Sequence, residues 1–157
     1  MLEPAELMDL AIAKCRKGIA LGQTPFGCAI ARGDTVLAAA HNTVLLTTDI
    51  TAHAEINAIR AACRQVGDIF LEGAVVATTC EPCPMCMAAL HWARVETVYC
   101  GAAIDDAERA GFNELRMPAA ELLRVGGSKL TLVPDLRREA CRRLFSDWRQ
   151  SSAVRTY

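Results

Sequence analysis

Cys83 and Cys86 form a Cys-x-x-Cys pair in residues 79–86, where Pro82 and Pro84 favour the start of a helix. Thiols in the first turn of a helix lie near its unpaired N–H groups and the positive end of its dipole, which lower the pKa of a thiol. The thiolate is the form that binds metal ions. The pair therefore predicts two metal ligands at one helix N-terminus.

His53 is the candidate for a third ligand. Cap residues at 48–51 precede it, and apolar residues at helical spacing follow it, so His53 is expected on the first turn of another helix. If both helices lie on the same face of a sheet, their N-termini converge. Three protein ligands leave the fourth position of a tetrahedral zinc ion open, as in catalytic sites, whereas structural sites are closed by four ligands.

Glu55 supplies the remaining chemistry, because it lies two residues after His53 and can reach a water at that open position. A carboxylate there can take a proton from the water and pass it to a leaving amine. The pattern predicts a catalytic zinc site with Glu55 as general acid and base.

Three other sites could use the same thiols. A redox pair would need neither His53 nor Glu55. Cys80 extends the run to three cysteines at ferredoxin-like spacing, but position 90 is leucine, so Cys63 or Cys100 would have to complete an iron–sulfur cluster. Cys80 could also close a structural zinc site, although it is expected to leave the preceding strand too far back to share the helix face.

The composition bounds the class of protein. A chain of 157 residues, 52% hydrophobic and 22% charged, predicts one globular domain over residues 1–157. Without an apolar run long enough to cross a bilayer and without a secretion signal at the start, we expect a cytoplasmic enzyme that contacts no membrane. The net charge of -1 argues against a general affinity for nucleic acid. Five cysteines outside the motif are expected to be buried thiols: Cys15, Cys28, Cys63, Cys100 and Cys141.

Hydrophobic periodicity predicts the elements that position these residues. Two β-rich runs joined by Arg-Gly-Asp form a hairpin, and two later strands connected through a helix should be parallel. The fold class is therefore α/β, with a three-layer α/β/α arrangement on a mixed five-stranded sheet and both metal-bearing helices on one face. Strands are predicted at 26–31, 35–40, 74–79, 97–101 and 130–133, and helices at 4–21, after His53, at 85–94, as turns within 105–112 and 118–125, and from Asp135.

The motifs resemble the cytidine deaminase-like superfamily, and within it the compact bacterial guanine deaminases and related nucleobase or nucleoside deaminases. His-x-Glu followed by Pro-Cys-x-x-Cys carries the resemblance, with flanking similarity over residues 24–112. It implies one zinc ion per subunit held by His53, Cys83 and Cys86, with Glu55 as the catalytic residue. For guanine the reacting carbon is C2, and the products are xanthine and ammonia.

The resemblance also implies substrate-binding residues. Asn42 would read the edge of the base, Phe26 would stack on its face, Trp92 would wall the pocket and Ala54 would contact the substrate. From the residues alone, other roles stay open. Asn42 could cap its own turn, and Phe26 and Trp92 could be packing residues.

The carboxyl end completes the resemblance. Bacterial guanine deaminases exchange C-terminal segments and cover the partner's site with a terminal tyrosine, so residues 135–157 are expected to form a helix and an exchangeable tail in a homodimer, with Tyr157 as the cover. An acidic residue after Gly-Phe recognises guanine in that family. Here the sequence has Asn113-Glu114, so Glu114 is the candidate.

Competing functions remain open. The resemblance implies a small purine or pyrimidine as the substrate, with guanosine, cytosine or another aminated heterocycle as alternatives to guanine. Deamination of adenosine in tRNA is a further alternative, because residues 135–157 carry six arginines against three acids, although a solvated helix face explains that charge better. A non-catalytic zinc or redox module is the third.

Overall fold

The computed structural model describes residues 1–151 and 154–157 and contains a mixed five-stranded sheet in the order β2-β1-β3-β4-β5. β1 lies antiparallel to both β2 and β3, whereas β3 pairs in parallel with β4, and β4 with β5. The predicted mixed sheet and its parallel pair are confirmed. The strands are β1 (Gly27–Arg32), β2 (Thr35–His41), β3 (Ala74–Cys80), β4 (Thr97–Ala102) and β5 (Thr131–Val133).

Helices cover both faces of the sheet. The helices are α1 (Pro4–Ala20), α2 (Val44–Thr47), α3 (Ala54–Val66), α4 (Pro84–Trp92), α5 (Ile104–Arg109), α6 (Ala119–Gly126) and α7 (Arg138–Arg149). One core cluster joins α1, α5 and α7 to the sheet, and the other joins α3, α4 and α6 to the opposite face. The structure thus confirms the three-layer α/β/α class and places the two motif-bearing helices on one face.

Alternate residues of the strands feed the two cores, as the period of a β-strand requires. In β1, Ala29 packs with the α1 and α7 layer, while Cys28 and Ile30 pack with the α3 and α4 layer. Gly27 at the start of β1 allows close approach of α1, because a Cβ there would overlap the backbone carbonyl of Ala11. Small residues therefore set how closely the first helix approaches the sheet.

Some helices differ from those predicted from the sequence. The short helix α2 was not predicted. The last helix begins at Arg138 rather than after Asp135, because Asp135 and Arg137 adopt left-handed conformations with φ of 66° and 54° that interrupt a helix. α4 ends at Trp92 rather than Arg94 for the same reason, since φ of Arg94 is 59°.

All eight cysteines are free thiols, and of the five expected to be buried only Cys63 is partly exposed. The helices in the described residues include none with the length and apolarity needed to cross a membrane. Assignment of residues 1–157 to one domain stays a prediction. The exchangeable tail predicted at 135–157 includes residues 152 and 153, which lie outside the described residues.

Candidate active site

Three potential ligands meet where α3 and α4 begin. His53 is the N-cap of α3, Cys83 is the N-cap of α4, and Cys86 lies in the first turn of α4. The Nδ1 atom of His53 lies 3.6 Å from Sγ of Cys83 and 3.4 Å from Sγ of Cys86. The two helix N-termini therefore converge as the sequence predicted.

This cluster fits a zinc ion. Tetrahedral zinc with ordinary Zn–S and Zn–N bond lengths separates a sulfur ligand from a nitrogen ligand by about 3.6 Å. A hydrogen bond from the Cys86 thiol lowers the pKa of Cys83 to about 4, which favours the thiolate form that binds metal ions. Two sulfurs and one imidazole are the donors that zinc prefers.

The cluster is not closed by a fourth side chain in the part of the chain that the structure describes. Only His53, Cys83 and Cys86 have potential ligand atoms that all lie within 4.8 Å of one another in residues 1–151 and 154–157. The thiol of Cys80 instead points to the carbonyl of Ala103, at 3.5 Å. Neither a structural zinc site closed by Cys80 nor an iron–sulfur cluster matches this arrangement.

Glu55 lies on the first turn of α3 and is only 7% exposed. The Thr78 hydroxyl, on the central strand β3, lies 3.1 Å from the Glu55 carboxylate and 3.1 Å from the Cys80 carbonyl, so its one proton is shared between two acceptors. Burial raises the pKa of Glu55, and the nearby Cys83 adds to this effect. A carboxyl group with a raised pKa is suited to accept and return a proton near neutral pH.

Two adjoining cavities open onto this cluster and share His53, Cys83, Glu114 and Tyr157 in their walls. The inner cavity has a volume of about 20 Å³ and is also lined by Phe26, Glu55, Cys80 and Glu81. That volume accommodates about one water molecule. The outer cavity has a volume of about 280 Å³ and is also lined by Ile50, Pro84, Met85, Asn113 and Leu115.

Tyr157 covers the site of its own chain. Its hydroxyl accepts a hydrogen bond from Nδ2 of Asn42 at 2.7 Å, and its carbonyl accepts one from the Asn113 amide at 2.9 Å. Its ring lies 5.6 Å from the His53 ring and 5.2 Å from the Phe112 ring. Burial raises the pKa of this phenol, so it stays protonated. The predicted exchange of the tail between subunits is not needed for Tyr157 to reach a site.

Asn42 and Phe26 both make structural contacts, and of the two Phe26 lines a cavity. Asn42 is completely buried, and its Oδ1 accepts a hydrogen bond from the Val44 amide at 3.0 Å while its Nδ2 points to Tyr157. Phe26 packs edge-on against Phe112, with ring centroids 5.0 Å apart, and also lines the inner cavity. The structural roles of both residues are therefore present, and their contacts with a substrate stay predictions.

The remaining candidates differ in position. Glu114 lines both cavities, and burial raises its pKa to about 6. Ala54 is completely buried at the first residue of α3 and is not among the residues that line either cavity. Trp92 is the last residue of α4, whose first turn bears the cysteines; its side chain is 73% exposed and lines neither cavity. Within this chain Trp92 does not wall the pocket.

Sequence reasoning missed Thr78 and Glu81. Thr78 is a polar residue of a buried strand and faces α3, which the two-residue periodicity of β3 could have indicated. Glu81 lines the inner cavity and accepts backbone hydrogen bonds from two distant residues. Those partners are separated from it by 23 and 38 residues, so no local pattern indicated them.

Comparison with known proteins agrees with the fold and the ligand cluster. A family model described as the cytidine and deoxycytidylate deaminase zinc-binding region matches residues 1–102, which is more than half of the chain. The chain therefore belongs to this family of zinc-dependent deaminases.

The relatives include deaminases with two different named activities. The guanine deaminase of Bacillus subtilis (strain 168) is 43% identical over 90 residues, which are 57% of this chain and 58% of that protein. The tRNA-specific adenosine deaminase of Agrobacterium fabrum is 38% identical over 102 residues, covering 65% of this chain and 67% of the relative. The chain thus spans little more than half the length of the Bacillus guanine deaminase.

Solved structures extend the similarity over nearly the whole chain. The structure of NE0047 in complex with 2,6-diaminopurine has a TM-score of 0.88 and 28% identity, covering 99% of this chain and 86% of the other. A guanine deaminase structure from Nitrosomonas europaea has a TM-score of 0.86 and 28% identity, covering 94% of this chain and 85% of the other.

Proposed function

We propose that this protein removes the amino group of a purine base by hydrolysis, with guanine as the substrate and xanthine and ammonia as the products. The observation that carries the proposal is the position of Glu55, buried beside the cluster of His53, Cys83 and Cys86. A carboxylate in that position is needed for proton transfer in deamination and has no purpose in a purely structural metal site.

The side chains of His53, Cys83 and Cys86 would hold one zinc ion per subunit. Zinc, when bound, supplies a Lewis acid that lowers the pKa of water from its bulk value to about 7. Glu55 accepts a proton from water and delivers it to the ring nitrogen beside the amine-bearing carbon, while the water oxygen bonds to that carbon. Glu55 then takes the remaining proton from this oxygen and delivers it to the amine, so that the carbon–nitrogen bond breaks, ammonia leaves and the carbonyl of the product forms. Thr78 holds the carboxylate of Glu55 in place for these transfers.

The substrate is held by residues that line the two cavities, Glu114 and Phe26, and by two buried residues that do not, Asn42 and Ala54. Nδ2 of Asn42 donates to an acceptor on the base, and the carboxylate of Glu114 accepts from the N1 and N2 protons of guanine. Phe26 packs against the ring, while Ala54 contributes through the backbone of the first turn of α3. Because a purine is much larger than the inner cavity of about 20 Å³, Tyr157 must move when the base enters.

The named relatives support a purine substrate. They include a guanine deaminase and a structure that contains 2,6-diaminopurine, an aminated purine. A second candidate, deamination of adenosine in tRNA, is favoured by the similarity to tRNA-specific adenosine deaminases. Guanosine, cytosine and other aminated heterocycles are alternative small-molecule substrates to guanine.

A homodimer and a cytoplasmic location are part of the proposal. Tyr157 covers its own site in the single chain, and exchange of the tail would put the same residue in the partner's site. Size-exclusion chromatography with light scattering measures the subunit number. Activity in mixed dimers of a Tyr157→Ala chain with a Glu55→Gln chain would reveal exchange, because only exchange restores a covered site with an active Glu55.

Ammonia release from purified zinc-loaded protein tests the function. Guanine, guanosine, adenine and cytosine are compared at equal concentration, and xanthine is identified by chromatography. In parallel, tRNA is digested and assayed for inosine. Xanthine from guanine supports the proposal. Inosine in tRNA without ammonia from any free base would replace it with the second candidate.

A further inference from the structure

Glu81 joins the beginnings of two helices that are distant from it in sequence. One carboxylate oxygen accepts a hydrogen bond from the Ile104 amide at 3.1 Å, and the other accepts one from the Ala119 amide at 2.8 Å. Ile104 and Ala119 are the first residues of α5 and α6. Amides at these positions have no partner within the helix, so the two hydrogen bonds satisfy groups that would otherwise be unpaired.

The segment between these two attachment points, residues 104–119, carries part of the proposed substrate site. Residues 110–118 connect α5 to α6 without a helix or strand. Phe112 anchors the segment in the core at 3% exposure, and Glu114 lines both cavities. Beside Glu114 the segment is held by Phe112 and by the hydrogen bond from the Asn113 amide to Tyr157, and its two ends are held by Glu81.

Glu81 also belongs to the metal-binding region. It lies two residues before Cys83, lines the inner cavity, and its amide donates to the Ala102 carbonyl at 2.8 Å. A single side chain thus connects the start of α4 to both ends of the segment that carries Glu114.

We propose that Glu81 is a positioning residue that sets the place of Glu114 against the substrate by holding both ends of residues 104–119. The identity of the substrate rests on the proposed function, but the connection itself does not. Packing of Ala119 and Leu123 against the core would keep α6 folded without Glu81. Loss of the carboxylate is therefore expected to loosen the substrate site more than the fold.

Glu81→Gln tests the positioning role, because an amide has one acceptor oxygen for two donors and places an NH₂ group against one of them. We expect the dissociation constant of 8-azaguanine and the KM for guanine to rise roughly tenfold, as for loss of a hydrogen bond to a charged group. Turnover and zinc content should change little. Glu81→Asp, with a shorter carboxylate, should give an intermediate effect.

Glu121→Gln is the matched control. Glu121 is a partly exposed residue of α6 that pairs with Arg124 and lines neither cavity. It should leave analogue binding and KM unchanged. Glu81→Gln on a Glu114→Gln background should add little to the loss, because the two residues act through one contact. Full additivity would contradict the proposal.

Hydrogen exchange separates this proposal from the proposed function, because it needs no substrate. In Glu81→Gln the amides of Ile104 and Ala119 should exchange faster, while those of α3 and β3 keep their protection. If the wild-type protein neither binds the analogue nor deaminates guanine, the proposed function fails while a local loss of protection still supports the positioning role. Unchanged exchange at both amides would overturn it.

Discussion

The side-chain amide of Asn42 donates a hydrogen bond of 2.7 Å to the hydroxyl of Tyr157, the last residue of the chain. The same amide is the donor that the proposed mechanism assigns to the base. In the proposed mechanism the tail and the substrate therefore both bind to this NH₂ group, which has two N–H donors.

Replacement of Asn42 by Asp tests this donor. Asn42→Asp keeps an oxygen for the Val44 amide and loses the NH₂ group. We expect the KM for guanine to rise about 10- to 100-fold, because a hydrogen bond to the base is replaced by two facing acceptors. Steady-state kinetics measure this change. An unchanged KM would mean that Asn42 only caps its own turn, through the Val44 amide, and does not bind the base.

Removal of the Tyr157 ring tests whether this residue covers the active site. In Tyr157→Ala the inner and outer cavities should merge, because this ring is part of the wall of both. We expect both association and dissociation of 8-azaguanine to accelerate, since the entering base no longer displaces a packed ring. Stopped-flow fluorescence gives the two rate constants, and equal values for the variant and the wild type would exclude a cover over this site.

Replacing Cys86 and Cys80 by serine distinguishes a zinc ligand from a residue that only lines the inner cavity. Cys86→Ser should lose most of the zinc and all measurable activity, because a hydroxyl is a far poorer zinc ligand than a thiolate. Cys80→Ser should retain the metal, since the Cys80 thiol points to the Ala103 carbonyl rather than to the cluster. Zinc analysis of the purified variants checks both outcomes. Zinc loss from Cys80→Ser would show that this thiol completes the site.

Adding a single methyl group at Gly27 should destabilise the fold. A Cβ at Gly27 would overlap the backbone of α1 at Ala11, so Gly27→Ala should lower the free energy of unfolding by about 1–3 kcal/mol. Gly126→Ala is the control, because no atom lies within 4 Å of its Cβ position, and it should be neutral or slightly stabilising. Urea denaturation measures both. Equal stability of the two variants would contradict the close packing of α1 on β1.

Much of the fold followed from short-range patterns. The Cys-x-x-Cys pair with its flanking prolines placed two ligands at a helix start, and the order of strands and helices predicted the mixed sheet and the convergence of His53 with the cysteines. These features depend on periodicity and capping, which a single sequence contains.

Other features depend on contacts between distant segments. Glu81 reaches the Ile104 and Ala119 amides only because two connections fold back over the metal-binding end of the sheet. The family resemblance implied that Trp92 is part of the pocket wall, yet Trp92 lies at the end of the nine-residue helix α4 that is opposite the cysteines. Local patterns do not contain this information.

Glu55→Gln tests the central claim most directly. The variant is isosteric and keeps the ligand cluster, so it should bind zinc in the same amount as the wild-type protein. Its rate of ammonia release from guanine should fall by about 10²–10⁴-fold, because an amide cannot carry the proton. Full zinc content with this loss of turnover is the predicted result. Full zinc content with wild-type turnover would contradict the assignment of Glu55 as the proton carrier.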